Sequence, residues 1–401
     1  MKVLINSINY WPELTGIGKY TGEMAEWLAA QGHDVYVVTA PPYYPAWKVA
    51  EGYRSSAYKT EQVAGVTIIR CPVWVPPSPT GLTRIIHLLS FAMSSMPVML
   101  WLALTKRPDV VQVIEPPVAC TPVAWLSAKL AGAFSWLHIQ DFEVDAAFEL
   151  NILPEGPVRK VVEMIERFIM RRFDRVSTIS EKMLERLVSK GIDPAKQFLF
   201  ENWTDIDAIQ PIAGLNKLGL ELNIDANKKV LLYSGNMGKK QGLEILVELA
   251  KGVQHREDII LLLCGDGVMR PELEHLAQGL SNIQFLPLQP MDRLNELLNI
   301  ADIHLLPQRA GAEDLVMPSK LTNMLSSGKP VIATVGQNTQ VASVVKLCGA
   351  VVSPDNAAQL CQAVIALIDD PEKSARLGAA GRRYAEQNWE LNAVLHKAFV
   401  L

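Results

Sequence analysis

The stretch Val230-Leu231-Leu232-Tyr233-Ser234-Gly235-Asn236-Met237-Gly238-Lys239-Lys240-Gln241-Gly242, VLLYSGNMGKKQG, decides the fold. An apolar run ends in glycine, passes two lysines and hands over to a helical pattern from Gly242 to Val253. A strand that reaches a helix through glycine opens a βαβ unit, and the helix N-terminus beyond it is a place for an anion. The next strand, Ile259 to Cys264, ends in a second glycine turn, Cys264-Gly265-Asp266-Gly267, which opens towards the same edge. Two such turns on adjacent strands favour a ligand over a merely solvated Lys-Lys turn.

Outward from that stretch the alternation continues. Ile283 to Leu286, Ile303 to Leu306, Val331 to Thr334 and Ala350 to Val352 read as strands. Met269 to Gln278, Leu294 to Ile300, Lys320 to Ser327, Asn356 to Leu367 and Ala375 to Gln387 read as helices between and after them. Upstream the same pattern has already run once. Val3 to Ile8, Asp34 to Thr39, Val66 to Cys71, Val110 to Ile114, Ser135 to Gln140 and Arg175 to Ile179 are strands, with helices at Lys19 to Gln31, Val118 to Ala131, Val158 to Phe173 and Glu181 to Lys190. The fold class is therefore α/β, with two Rossmann-like doubly wound parallel-sheet domains in tandem, residues 1–205 and 206–387, facing a cleft. Ligands of open parallel sheets sit beyond the carboxyl ends of the strands, so two facing domains make one deep site.

Composition agrees with a folded two-domain chain: 401 residues, 49% hydrophobic and 20% charged. The net charge of -4 gives no global attraction for nucleic acid, and no nucleic-acid partner is expected. Five scattered cysteines without Cys-x-x-Cys spacing argue for a reducing cytoplasm and against a disulfide framework or zinc. The opening MKVLINSINYWPEL reads as a first strand, not a signal peptide. Ile85 to Leu104 is long enough to span a bilayer, but His87, three serines and Pro97 interrupt it and a strand follows at once. Core and surface helices are the first reading, and a surface dipping into the bilayer the second. The basic positions Arg159, Lys160, Arg167, Arg171, Arg172 and Arg175 are a solvated helix face or, with that apolar segment, a contact for anionic lipid.

Three further motifs carry candidate chemistry. After the first strand, INYWPELTGIGKYTG places Gly16, Gly18 and Gly22 one residue out of a dinucleotide fingerprint. It is either a surface loop with a helix start or a turn where Gly16 and Gly18 let amides approach an anion, with Lys19 adding charge and Tyr20 a hydroxyl or ring. In Glu313-Asp314-Leu315-Val316-Met317-Pro318-Ser319-Lys320-Leu321-Thr322-Asn323, Pro318 and Ser319 start a helix. Its free amides at Ser319, Lys320 and Leu321 suit a phosphate, Asn323 projects from the first turn, and a carboxylate stands just ahead. His138-Ile139-Gln140-Asp141 closes a strand at the cleft edge and is either packed or acceptor-binding. Asp205-Ile206-Asp207 imitates a metal-holding pair but lies in the interdomain connection, so no metal is expected.

Taken together, NYWPELTGIGKYTGEMAEWLAAQGH, VTAPPYYP, LHIQDFEVDA, STIS, ENW, YSGNMGKKQGLE and MPSKLTNML resemble the retaining glycosyltransferases of family 4, which have the GT-B fold, and among them the colanic acid biosynthesis type. The resemblance covers nearly the whole chain. It implies an N-terminal acceptor domain, a C-terminal donor domain for a nucleotide diphosphate sugar, and a last segment, residues 388–401, that crosses back to the first domain. It implies further that the Gly16 to Gly18 loop closes over the donor phosphates and that His138 lies near the transferred sugar. Gly235, Asn236, Lys239 and Lys240 then fall in the diphosphate segment, and Ser319, Lys320 and Leu321 in the loop at the helix start. Gly265 and Asp266 join the donor side, Tyr10 and Asp141 the acceptor side. The chain departs from the family where many members carry an arginine and a lysine, at Asn236 and Gln241. Two glutamates separated by seven residues fall here on Leu315 and Asn323, which leaves Asp314, or Glu313, as the carboxylate for the sugar hydroxyls.

The expected activity is metal-independent transfer, with retention, from a nucleotide sugar, GDP-fucose first, to a polyprenyl-diphosphate-linked glycan in exopolysaccharide biosynthesis. No cofactor is needed beyond the donor, and the place is the cytoplasm, peripheral on the inner membrane face. A nucleotide-sugar epimerase, a two-lobed sugar-binding protein and an NAD-dependent enzyme are the alternatives that the alternation alone allows.

Overall fold

A computed structural model of the chain describes residues 1–13, 16–77, 80–149, 156–214, 216–309 and 319–399. The chain divides into two compact units, Met1–Glu201 and Asn202–Leu401. The strands of the first are β1 (Lys2–Asn6), β2 (Asp34–Thr39), β3 (Lys59–Val63), β4 (Val66–Arg70), β5 (Val110–Glu115), β6 (Phe134–Ile139), β7 (Arg175–Thr178) and β8 (Gln197–Leu199). They form one sheet in the order β3-β4-β2-β1-β5-β6-β7-β8. The expectation of a wholly parallel sheet is corrected at its edge, where β3 runs antiparallel to β4. Ala64 and Gly65 close that hairpin at φ 50° and 81°, the left-handed pair a two-residue hairpin needs. Hydrophobic patterning passes over β3 because Lys59-Thr60-Glu61-Gln62 are all polar.

The helices of this unit are α1 (Gly16–Ala30), α2 (Gly81–Lys106), α3 (Thr121–Ala131), α4 (Glu143–Glu149), α5 (Pro157–Met170) and α6 (Glu181–Ser189). The apolar segment is one helix, α2, which runs straight through Pro97. Its ends feed β4 and β5 of one sheet, and a spanning helix of about 39 Å would place those strands on opposite sides of a bilayer.

In the second unit β9 (Lys229–Ser234), β10 (Ile259–Cys264), β11 (Ile283–Leu286), β12 (Ile303–Pro307), β13 (Val331–Thr334) and β14 (Gly349–Val352) pair in parallel throughout. Their order, β11-β10-β9-β12-β13-β14, is the dinucleotide-fold order. Strands buried on both faces explain the continuous apolar runs. Leu231 and Tyr233 pack on one side, beneath α8 (Glu244–Gly252), whereas Val230 and Leu232 pack on the other. The remaining helices are α7 (Lys217–Glu221), α9 (Arg270–Leu276), α10 (Leu294–Asn299), α11 (Ser319–Ser326), α12 (Gln340–Cys348), α13 (Ala357–Ile368), α14 (Pro371–Asn388) and α15 (Leu391–Phe399).

The border falls at residue 201 rather than 205 because the connecting segment is held by the end of the chain. The Thr204 amide donates to Trp389 O at 2.8 Å, Leu391 N donates to Thr204 O at 3.2 Å, and Thr204 itself is fully buried. Asp205 accepts from the amides of Asp207 and Ala208, both at 3.0 Å, and so caps a turn.

Each sheet reverses strand order once, between β1 and β5 in the first unit and between β9 and β12 in the second. Those two crevices are where a ligand of each sheet belongs.

Candidate active site

The second unit's crevice is built by two interlocked loops. Gly235, directly after β9, donates its amide to Cys264 O at 2.9 Å, and Met237 donates to Asp266 O at 2.8 Å. Gly265 sits at φ 148°, and a Cβ there would lie 2.0 Å from Gly235 O. Its glycine is thus required by backbone packing between the loops. Asp266 contributes its carbonyl to that packing, and its Oδ1 accepts from Gly267 N at 2.8 Å.

Lys320, in the first turn of α11, reaches into this place. Its Nζ donates to Tyr233 Oη at 3.1 Å and stands 4.4 Å from the centre of that ring. Tyr233 Oη in turn donates to Asn236 O at 2.6 Å, and a Cβ on Gly235 would come within 3.0 Å of Nζ. The residue keeps some surface exposure, yet its ammonium is desolvated, which pulls its pKa down to about 8. Among the described residues it has no carboxylate partner, so an anion entering beside Gly235 would supply its counter-charge. The amides of Ser319, Lys320 and Leu321 open α11 and have no acceptor within their own helix. Leu321 is otherwise a core residue, fully buried with Met324 and Leu325.

Other candidates of this unit fare differently. Asn236 and Lys239 are exposed beside the loops, and Lys240 shares the short turn Lys239–Gln241. Asn323, expected on the donor side, accepts from Thr204 Oγ1 at 2.8 Å through its Oδ1 and so anchors the connecting segment. Glu313 and Asp314 lie outside the described residues. Sequence reasoning misses Tyr233, which it counts as strand, and Arg309. The latter follows β12 at the far wall of the crevice, with its backbone 3.4 Å from where a Cβ on Gly242 would be and its Nη2 2.6 Å from Glu244 Oε1. The signal is available in Pro307-Gln308-Arg309, a cation just beyond a strand's carboxyl end.

The glycine stretch of the first unit has a different logic from the one expected. Gly16 starts α1 at φ 58° with no atom near its missing Cβ. At Gly18, a Cβ would meet Glu13 Cβ at 2.8 Å and Glu13 O at 3.0 Å, so the glycine lets α1 sit against the preceding loop. Glu13, passed over in the sequence, organises that loop. Oε1 accepts from the amides of Tyr43 and Tyr44 at 2.8 and 2.9 Å, and Oε2 from Asn9 Nδ2 at 2.8 Å. Burial nevertheless raises its pKa. Arg70, 1% exposed, ties the same loop to the sheet by donating to Trp11 O at 2.8 Å and Ala40 O at 3.0 Å. Tyr10 and Tyr20 are each only 2% exposed, so neither presents its ring to a ligand as expected. Lys19 pairs with Glu23 at 3.7 Å and is partly buried.

His138 ends β6 as a packed residue. Its Nδ1 lies 2.9 Å from Ser177 Oγ, which also accepts from Trp136 Nε1 at 2.7 Å, and its Nε2 lies 3.0 Å from Gln140 Nε2. This network fixes a neutral ring with the proton on Nδ1, and burial pulls the pKa down to about 3. Of the two readings open to it, packed or acceptor-binding, the structure has the packed one. Asp141 beside it is partly exposed.

Comparison with known proteins agrees with this geometry. Residues 15–203 match the Glycosyl transferase 4-like domain and residues 220–384 the Glycosyl transferases group 1 family. The chain is 42% identical to the putative colanic acid biosynthesis glycosyl transferase WcaI of Escherichia coli K12, across 99% of this chain and 98% of that one. Among solved structures it is similar to sucrose-phosphate synthase from Thermosynechococcus elongatus, with TM-score 0.77, 18% identity and coverage of 99% and 97%. It is also similar to Anabaena HepE in complex with UDP and glucose, with TM-score 0.70, 15% identity and coverage of 99% and 98%.

Proposed function

The chain belongs to the family 4 glycosyltransferases of GT-B fold, and from that premise we propose that it moves a sugar, with retention, from a nucleotide diphosphate donor to a lipid-linked glycan in exopolysaccharide biosynthesis. The observation that carries the donor assignment is Lys320, a desolvated ammonium without a carboxylate partner among the described residues, at the switch point of a dinucleotide-type sheet. A departing diphosphate there meets that ammonium, the first amides of α11 and the cation of Arg309. These groups supply the electrostatic stabilisation that a divalent cation gives elsewhere, which favours a metal-independent reaction. Asp314 or Glu313 orients the sugar hydroxyls, and Asp141 is the first unit's accessible candidate for the acceptor.

The likeness to WcaI supports colanic-acid-type exopolysaccharide as the product class, and GDP-fucose is the first donor to test. HepE, whose complex contains UDP and glucose, keeps UDP-sugars next. A polyprenyl-diphosphate acceptor places the enzyme at the cytoplasmic face of the membrane. Thermal shift against a panel of GDP- and UDP-sugars, run on wild type and Lys320→Met, tests the reading. A nucleotide sugar should stabilise wild type far more than the variant; stabilisation of both alike would remove Lys320 from the donor site.

A further inference from the structure

An amphipathic helix of a soluble protein buries one face and wets the other; α2 is apolar on both. Its inner side carries Leu88, Phe91, Met99 and Leu102, all buried. Its outer side carries Leu82, Ile86, Leu89, Met93 and Met96 at three- and four-residue steps, so they form one stripe, with Leu104 about two turns further on; each is at least 45% exposed, with Met93 at 73%. Such a stripe on a free surface marks an interface.

The neighbouring helices continue it. The connections from β4 to β5, β5 to β6 and β6 to β7 all step the same way across the sheet, so right-handed crossovers put α2, α3 and α5 in one layer. In that layer α3 packs against both of the others. The outer side of α3 adds Leu126 and Leu130, and that of α5 adds Val161, Met164, Ile165 and Phe168, the last 57% exposed.

Charge identifies what covers this face. Neither α2 nor α3 contains a single Asp or Glu, whereas Arg84, Lys106 and Lys129 are cationic. On α5, Glu166 is buried against Lys190, and Glu163 is occupied by Arg159 at 2.8 Å and Arg167 at 3.4 Å. Lys160, Arg167, Arg171 and Arg172 surround Met164 and Phe168 in a shallow groove of about 590 Å³. The Arg172 guanidinium lies 4.2 Å from the Phe168 ring centre and 5.1 Å from that of Trp125. Apolar side chains rimmed by cations fit a surface with an apolar interior and phosphates at its boundary. A protein partner would equally cover the apolar stripe, but it gives no reason for the exclusion of carboxylates from two whole helices.

We propose that the outer face of α2, α3 and α5 is a docking surface for an anionic lipid bilayer, with Met93, Met164 and Phe168 entering the headgroup boundary and Lys160, Arg167 and Arg171 on lipid phosphates. This rests on the membrane-linked acceptor proposed above and assigns the surface that brings the enzyme to it. The helices lie in the plane of the interface, as the attachment of both ends of α2 to one sheet requires.

Flotation of the full chain with vesicles of phosphatidylcholine alone, or mixed with phosphatidylglycerol, tests it at physiological salt. Wild type should float with the mixed vesicles and remain behind with the neutral ones. Lys160→Gln, Arg167→Gln and Arg171→Gln together should lower partitioning by about two orders of magnitude, since each cation near an anionic surface contributes roughly fivefold. Met93→Glu with Phe168→Glu should abolish flotation, while Lys251→Gln on the second unit should leave it unchanged. Equal flotation with both vesicles, variants that float like wild type, or a stable dimer in solution that never floats would each overturn the assignment. Nucleotide release from donor sugars, measured without vesicles, separates the two readings: an active chain that never floats loses the docking surface but keeps its transferase function.

Discussion

The two switch points occupy the same place in related sheets and are furnished oppositely. In the first unit, Asn6 closes β1 and Glu115 closes β5; both are fully buried, and their side-chain polar atoms have no hydrogen-bond partner among the described residues. The loop held by Glu13 and Arg70 packs against α1 beside them. In the second unit, Gly235 follows β9 and Arg309 follows β12; Arg309 is 47% exposed at its side chain, and Lys320 stands between with its ammonium desolvated. One crevice has been filled by buried side chains, the other left open and cationic. A shared topology fixes where a ligand can sit, but side-chain chemistry decides which of two equivalent places takes the phosphates.

The largest expected effect breaks the cationic side of that comparison. Lys320→Met should lower kcat/KM for transfer by roughly 10²- to 10³-fold, the scale of losing one preorganised donor to a developing anion. Steady-state nucleotide release measures it. A loss under threefold would show that the diphosphate lies elsewhere.

Loop packing comes next. Gly265→Ala places a Cβ 2.0 Å from a backbone carbonyl at φ 148°, so the loops must separate. We expect about 3 kcal/mol of destabilisation by urea unfolding, with donor affinity lost in the same variant. Gly18→Ala meets Glu13 at 2.8 Å, partly through its side chain, and should cost about 1 to 2 kcal/mol with donor affinity kept. Equal losses of donor affinity would return the first glycine stretch to the phosphate-binding role that its sequence suggested.

That contrast shows what could be read without coordinates. Both sheets and nearly every parallel strand were legible, because strands buried on two faces are written as apolar runs ended by glycine. The two glycine stretches also announced loops of special geometry. What a glycine makes room for is a tertiary fact. Gly18 spares a clash with Glu13, and Gly265 with Gly235 O, and neither neighbour can be inferred from spacing. Lys320 was legible as a helix-start cation, whereas Tyr233, its hydrogen-bond partner, was hidden inside an ordinary strand. Asn323 was assigned by its place one turn along α11; its actual partner, Thr204, is distant in the chain.

A smaller effect sharpens the cationic side through pH. With the Lys320 pKa pulled down to about 8 in the free enzyme, raising pH through that value removes the charge that a diphosphate needs. Donor Kd should therefore be flat below pH 7 and rise by up to about tenfold between pH 8 and pH 9, one proton being coupled to binding. Lys320→Arg, whose guanidinium stays charged, should flatten the profile even if its affinity is lower. Titration calorimetry in buffers of different ionisation enthalpy should register the same proton uptake.

The smallest effect tests the filled crevice. Glu115 is wholly buried with Glu166, Glu143 and Asp145 nearby, so desolvation and then those carboxylates hold its pKa well above the usual range, against the opposing pull of Lys190. A carboxyl whose folded pKa is raised is most compatible with folding when protonated. Stability from this group is complete below the unfolded value near 4.5 and is lost as pH rises towards the folded value. Each pH unit in that window should cost about 1.4 kcal/mol per proton. Glu115→Gln keeps the shape without the ionisation and should remove one proton's worth of that slope above the unfolded value near 4.5, with Glu143 and Glu166, also raised by burial, leaving a residual slope. Urea unfolding at three pH values measures the difference. A variant with the wild-type slope would mean that Glu115 stays ionised in the fold, and the first crevice would then hold a negative charge rather than a neutral filling.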